Sequence, residues 1–219
     1  MPDREETIVG LPTDDAVVAA LRAGDEAMFA AMLDTWSQGM LRLARSYVST
    51  SDSAEEVVQD TWLAVIRGID AFEGRSSLKT WVYRILVNTA MKRGARESRT
   101  VPWSSAFDGD GGSPHDGARF RDADAPFPGS WKEVPAAWPA PEGEILASEV
   151  RTEIAAALAA LPARQRTVIT LRDIEGCTSE EVCEILEISP ANQRVLLHRA
   201  RSAVRDRLEE YFETARRSA

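Results

Sequence analysis

The sequence predicts an all-α protein with two helical domains joined by a long Pro/Gly/Asp-rich linker. Three observations carry that expectation. Apolar residues recur at three- and four-residue spacings through 14–99 and again through 144–212, and no segment alternates as a half-buried strand does. Between them, 101–142 collects Pro102, Pro114, Pro126, Pro128, Pro135, Pro139 and Pro141 with many Gly, Ser and Asp residues, a composition that cannot bury a core of its own. The 219 residues are 44% hydrophobic and 28% charged, enough for two soluble cores. The expected boundaries are a tail at 1–13, a domain at 14–99, the linker at 100–142, a second domain at 143–212 and a tail at 213–219.

In the first domain Asp14 caps a short helix through Leu21. Asp25 opens a longer one whose stripe is Phe29, Met32, Leu33, Trp36, Met40, Leu43, Ala44 and Tyr47. Asp52 or Ser53 caps Ala54–Ile69, with Glu55 and Glu56 where the helix dipole favours acids. A fourth helix runs from about Leu78 to Arg96. In the second domain Ile145, Val150, Ile154, Ala157, Leu158 and Leu161 mark a helix ending at Pro162. Ala163–Ile174 follows, closed by Gly176, and Thr178 or Ser179 caps Glu180–Leu186. Ser189-Pro190 starts a last helix to about Phe212, since proline suits the first helical position.

Several function classes are excluded or weakened by composition. No apolar run approaches the roughly 20 residues of a membrane span, so membrane insertion is not expected. The acidic N-terminus MPDREETIVGLPTDD is not a signal peptide. Cys177 and Cys183 form neither a disulfide framework nor a zinc set and read as reduced structural thiols, which places the chain in the cytoplasm. No Gly-rich phosphate loop, metal spacing or nucleophile triad is present, so neither an enzyme nor a cofactor is expected.

The net charge of −9 conceals two basic patches. Lys79–Arg99 carries Lys79, Arg84, Lys92, Arg93, Arg96 and Arg99 against Glu97 alone, and Pro190–Arg207 carries five arginines against Asp206. Screening over about 8–10 Å makes polyanion binding a local matter. In the first patch Leu78, Val82, Ile85, Leu86 and Thr89 form a buried face, with the bases mostly off it and Trp81 and Tyr83 interleaved. Bases neutralise phosphate and aromatic rings stack on unpaired bases, so the helix suits opened nucleic acid; a core helix with a solvated basic face fits the same residues. In the second patch a helix, a short turn and an arginine-laden helix make a helix-turn-helix, whose second helix enters the major groove. A generic three-helix packing unit is the plainer alternative.

Taken together, the motifs decide. Asp52-Ser-Ala-Glu-Glu-Val-Val-Gln-Asp-Thr-Trp62, Phe72-Glu-Gly-Arg-Ser-Ser-Leu-Lys-Thr-Trp-Val-Tyr-Arg-Ile-Leu-Val-Asn88, Leu161-Pro-Ala-Arg-Gln-Arg166 and His198-Arg-Ala-Arg201 occur in this order. In that combination the chain resembles the extracytoplasmic-function sigma factors of bacterial RNA polymerase. The resemblance implies a region 2-like bundle for the polymerase clamp and the −10 element, and a region 4-like helix-turn-helix for the −35 element. Carried over residue by residue, Asp52, Glu55, Glu56, Gln59 and Asp60 face the clamp of core RNA polymerase. Phe72, Arg75, Ser76, Ser77, Lys79, Thr80, Trp81, Arg84, Asn88, Lys92 and Arg93 meet the melted −10 element. Arg194, His198, Arg199 and Arg201 meet the duplex −35 element. An anti-sigma factor is an implied partner. In the linker, Asp108, Asp110, Asp116, Asp122 and Asp124 suit a basic polymerase channel, with Trp131 and Trp138 as downstream anchors. The chain departs from the family at Glu187, where glycine is common, at Gln193, where an apolar residue packs, and at Val195-Leu196, where a polar-basic pair is usual. The rival function is a stand-alone helix-turn-helix regulator.

Overall fold

The computed structural model describes residues 11–100 and 144–218. The linker aromatics and the aspartates from Asp108 to Asp124 lie outside the described residues. The chain divides into two compact units. Helices α1 (Asp14–Arg22), α2 (Glu26–Ala44), α3 (Ser51–Gly68) and α4 (Leu78–Thr100) build the first. Helices α5 (Glu144–Ala160), α6 (Ala163–Ile169), α7 (Ser179–Leu186) and α8 (Pro190–Ser218) follow, and no strand occurs among the described residues.

Local chemistry sets the helix ends. The Asp25 carboxylate accepts from the Met28 amide at 3.0 Å and starts α2. Helix α3 starts earlier than Asp52 or Ser53 would place it. Thr50 is the cap, its hydroxyl accepting from the Ser53 amide at 3.1 Å, and Asp52 becomes a first-turn acid. A 3-10 turn at Ile69–Ala71 ends α3. Tyr47, expected on the α2 stripe, lies beyond the end of that helix in the connection to α3.

The first core is made where α2, α3 and α4 meet. Met32, Met40 and Leu43 come from α2, Val57, Val58, Trp62 and Val65 from α3, and Leu78, Val82, Tyr83, Leu86, Val87 and Ala90 from α4. Trp62 meets Phe29 edge-on at 5.7 Å and stacks nearly parallel to Trp36 at 6.5 Å. Helices α3 and α4 run antiparallel, since Gly68 at the end of α3 lies against Trp81 at the start of α4 while Glu56 pairs with Arg93. Gly94 lets the α2–α3 connection lie against α4: a Cβ there would collide with the backbone carbonyl of Tyr47. Beside it, Glu97 accepts from the Ser49 amide at 3.1 Å, the Ser49 hydroxyl at 2.9 Å and Arg93 at 3.2 Å. Burial works against the Glu97 carboxylate, but these donors and the Ser53 hydroxyl outweigh it and hold its pKa down at about 2.

The second core forms along α8, against which α5 and α6 pack through Ala157, Leu161, Val168, Leu197, Ala200 and Leu208. Arg166, from the Leu161–Arg166 motif, donates to the carbonyls of Ala159 at 2.7 Å and Leu161 at 2.9 Å, closing the C-terminus of α5. The expected helix from Ala163 to Ile174 loosens into a π turn at Thr170–Ile174 before Gly176, whose φ is +71°. Thr178 and Glu181 form a capping box at the start of α7, and Ser189 caps α8 by accepting from the Asn192 amide at 3.2 Å. The turn between them rests on Glu187 in the left-handed region at φ 53°, ψ 44°. This is a conformation glycine enters without a Cβ penalty, so the family's preference there has its physical reason. Helix α8 continues to Ser218 rather than ending near Phe212. Cys177 is buried and Cys183 half-buried, and the two are not joined in a disulfide.

Gln193 occupies a core position, 1% exposed, and its amide Nε2 has no hydrogen-bond partner. An unsatisfied buried donor costs about 1–3 kcal/mol, so Gln193→Met, similar in shape, should stabilise the protein by about 1–2 kcal/mol. The check is a higher urea midpoint at unchanged slope. Glu97 makes a pH prediction. Its pKa falls on folding, so its contribution is complete at neutral pH and is lost as pH drops from the ordinary 4.5 toward 2. The stability advantage of wild type over Glu97→Gln, followed by urea unfolding, should shrink across that window.

Candidate nucleic-acid interface

Amphipathicity separates the two faces of α3. Ser53, Ala54, Val57, Val58, Thr61, Trp62 and Val65 are buried, which turns Asp52, Glu55, Glu56, Gln59 and Asp60 outward. The same outward face continues at three- and four-residue spacing through Leu63, 48% exposed, and Ile66, 51% exposed. These two were missed in the sequence, where an apolar residue on an amphipathic helix reads as core. The result is an acidic half-helix followed by an apolar one.

The loop 72–77 and α4 carry the first basic patch. Gly74 takes φ +69°, a turn conformation that places Arg75 in solvent beside Glu73 at 3.4 Å. Ser77 caps α4, its hydroxyl accepting from the Thr80 amide at 3.1 Å and bonding the Thr80 hydroxyl at 2.9 Å. Asp14 does not cap its own helix. Its carboxylate accepts from the Leu78 amide at 2.6 Å, satisfying one of the free donors at the start of α4. At the other mouth of the loop, Arg22 donates to the carbonyls of Ile69, Asp70 and Phe72, the last at 2.7 Å.

Beyond the loop, Arg84, Asn88 and Lys92 are exposed at successive four-residue steps, with Met91 and Arg96 completing the outward face of α4. Lys79 is half-buried, its ammonium 5.5 Å from the centre of the Tyr83 ring. Phe72 and Trp81 are half-buried and face each other with ring centres 5.1 Å apart, Trp81 also covering Gly68.

Three expectations for this patch need correction. Tyr83, read as an aromatic among the bases, is fully buried and cannot stack on a base from there. Thr80 is 1% exposed, so its side chain serves the cap and not a ligand. Arg93 turns toward α3, where it pairs with both Glu56 and Glu97, and the hydrogen bond to Glu97 leads the effects that raise its pKa. Glu56 and Arg93, assigned to different partners by resemblance, pair with each other.

In the helix-turn-helix the first turns of α8 point outward through Ala191, Asn192, Arg194 and Val195, the last 47% exposed. His198 and Arg199 follow on the half-buried flank. Arg201 lies one turn further along the same stripe and is engaged within the domain. It binds Asp173 with both arms of its guanidinium, at 2.6 and 2.8 Å, which raises its pKa. Asn192 and Val195 were missed as surface candidates because a helix-only pattern does not show which face the turn presents.

The comparisons with known proteins follow this division. Residues 32–100 match the family Sigma-70 region 2, and residues 151–204 match Sigma-70, region 4. The ECF RNA polymerase sigma-E factor of Haemophilus influenzae is 29% identical over 197 residues, covering 90% of this chain and 96% of its own length. That of Escherichia coli strain K12 is 29% identical over 197 residues, with 90% and 95% covered. Among solved structures, CnrH in complex with the cytosolic domain of CnrY superposes with a TM-score of 0.56 at 20% identity, covering 91% of this chain and 99% of that one. The sigma factor RpoE in complex with the anti-sigma factor NepR from Bartonella quintana gives 0.54 at 25% identity, with 83% and 96% covered. Two matched regions in the order 2 then 4, and relatives aligned along most of the chain, establish that this protein belongs to the extracytoplasmic-function sigma factors of RNA polymerase.

Proposed function

We infer that this chain acts as a transcription initiation factor that binds core RNA polymerase, recognises −10 and −35 promoter elements and promotes initiation. The observation that carries this reading is the ordered pair of sigma-70 regions, 32–100 and 151–204, on one chain. It works by binding and deforming DNA, without chemistry or a cofactor of its own, and it acts in the cytoplasm. No described helix is long and apolar enough to cross a membrane. The neighbouring Bartonella protein was solved with an anti-sigma factor, and a protein of that class is the proposed regulator here.

The outward face of α3 is the proposed polymerase surface. Asp52, Glu55, Gln59 and Asp60 offer carboxylates and an amide to a basic clamp, and Leu63 and Ile66 supply the apolar area that desolvation makes worthwhile. Glu56 joins them only on its side not held by Arg93. The loop from Phe72 to Ser77 receives an extruded base of the −10 element, with Arg75 in solvent, Ser76 half-buried and Trp81 against Phe72. Arg84, Asn88, Lys92 and Lys79 track the strand. Unstacking a base costs a few kcal/mol, which a shaped pocket and phosphate contacts offset. Arg194 and His198 read or grip the −35 duplex with Arg199 beside them, while Arg201 holds α8 to the end of α6.

Charge reversal at Asp60, an exposed site, should change folding stability by no more than about 0.5 kcal/mol. Asp60→Lys should nevertheless weaken core-polymerase binding by about 2 kcal/mol or more, roughly thirtyfold in Kd. Holoenzyme assembly by the variant at wild-type concentration would remove α3 from the polymerase interface. Removing the charges of Arg84 and Lys92 together should flatten the salt dependence of open-complex formation by about 1–2 units of log–log slope. Arg93→Ala should leave that slope unchanged and lower the unfolding temperature instead, because its charge is held by Glu56 and Glu97.

A further inference from the structure

We propose that α1 is a brace for the promoter-reading loop, with Asp14 and Arg22 as positioning residues for the base taken up there. The inference rests on the reading of 72–77 as the −10 loop and adds to it an element outside the segment matched to region 2, which begins at residue 32.

The geometry is a clamp on both mouths of one loop. On the entry side, the Arg22 guanidinium donates to three carbonyls where α3 ends: Ile69 at 3.3 and 3.2 Å, Asp70 at 3.3 Å and Phe72 at 2.7 Å. On the exit side, the Asp14 carboxylate accepts from the Leu78 amide at 2.6 Å. Both anchors obey the dipole rule, an anion at the start of α4 and a cation at the last carbonyls of α3 and its 3-10 turn. They stand at the two ends of α1, eight helical steps or about 12 Å apart, so the distance across the loop mouth is set by α1. Val17 and Val18, buried beneath α1, seat the spacer on the bundle.

The loop itself supplies little of this rigidity. At its centre the contacts are long, with Ser76 Oγ 3.4 Å from the Ser77 carbonyl and the exposed Arg75 3.4 Å from Glu73, while the Ser77–Thr80 bonds and the Phe72–Trp81 contact act only at its ends. Gly74 at φ +69° gives the chain freedom at the centre. A pocket discriminates between bases only if its walls do not follow the ligand, because a wall that relaxes accepts every base alike. External anchoring by α1 is therefore what holds the two ends of the loop at a fixed separation and makes it selective.

The test uses reconstituted holoenzyme and two promoter templates differing at the −10 position the loop prefers. The readout is the ratio of transcript from the two, which is internal to one protein preparation and unaffected by a reduced folded fraction. Loss of one hydrogen bond to a charged group corresponds to about tenfold, so Asp14→Ala should reduce the ratio about tenfold, and Arg22→Ala, which removes contacts to three carbonyls, at least as much. Core-polymerase affinity and preference at the −35 element should stay as in wild type. Asp14→Asn keeps an acceptor for the Leu78 amide and should restore most of the ratio. A control replaces Arg75 and Ser76 with glycine. If the control leaves the ratio intact, the loop does not read the base and the proposal falls with that reading. If the control abolishes the ratio while Asp14→Ala and Arg22→Ala keep it, the brace alone is overturned.

Discussion

The antiparallel packing of α3 on α4 is the constraint from which the first unit's surface follows. Burying Val57, Val58 and Val65 against the α4 core residues Val82, Leu86 and Ala90 leaves each helix one outward face. For α3 that face is acidic and then apolar, and for α4 it is basic. The α2–α3 connection is drawn onto α4 at Gly94, whose missing side chain admits the Tyr47 carbonyl, and at Glu97, which draws Ser49, Ser53 and Arg93 together. Hydrophobic burial provides the drive, and the charge network fixes the register. The Glu56–Arg93 pair joins the two helices at one end, and Trp81 over Gly68 and Phe72 joins them at the other.

Charge is divided by the same packing. A chain of net −9 binds a polyanion only where bases are gathered and acids are turned away. On α4 the exposed stripe of Arg84, Lys92 and Arg96 is basic because Glu97 and Glu56 are consumed internally by Arg93 and the serines. The acids of α3 lie on the outward face of a different helix. One small bundle thus presents an acidic face on one helix and a basic face on another, with the Glu56–Arg93 pair between them.

The second unit departs from its family where the physics is least forgiving. Glu187 bears a Cβ in the left-handed turn, and Gln193 brings an amide into the core. Both are local costs, of about 1 kcal/mol for the turn and 1–3 for the amide. They are offset in the same region by the Thr178–Glu181 capping box, the Ser189 cap and the bidentate Arg201–Asp173 pair. The helix-turn-helix keeps its geometry. Its outward face includes an apolar side chain, Val195.

By itself the sequence determined the all-α class, the split into two helical units, the order of the motifs and most helix starts. These depend on interactions within a few residues: periodicity, caps at Asp25 and Thr178, proline at the first turn of α8, and Gly176. The outward acidic run on α3 was equally legible, because a stripe of apolar residues implies its complement. Tertiary structure decided what any one charged or aromatic side chain is for. Tyr83 and Thr80 lie in the core, Arg93 belongs to Glu56 and Glu97, and Arg201 to Asp173. Asp14 caps a helix 64 residues further along the chain, and Arg22 closes one 47 to 50 residues away. A carboxylate or guanidinium satisfies a donor or acceptor wherever folding places one, and that partner has no fixed spacing for the sequence to display.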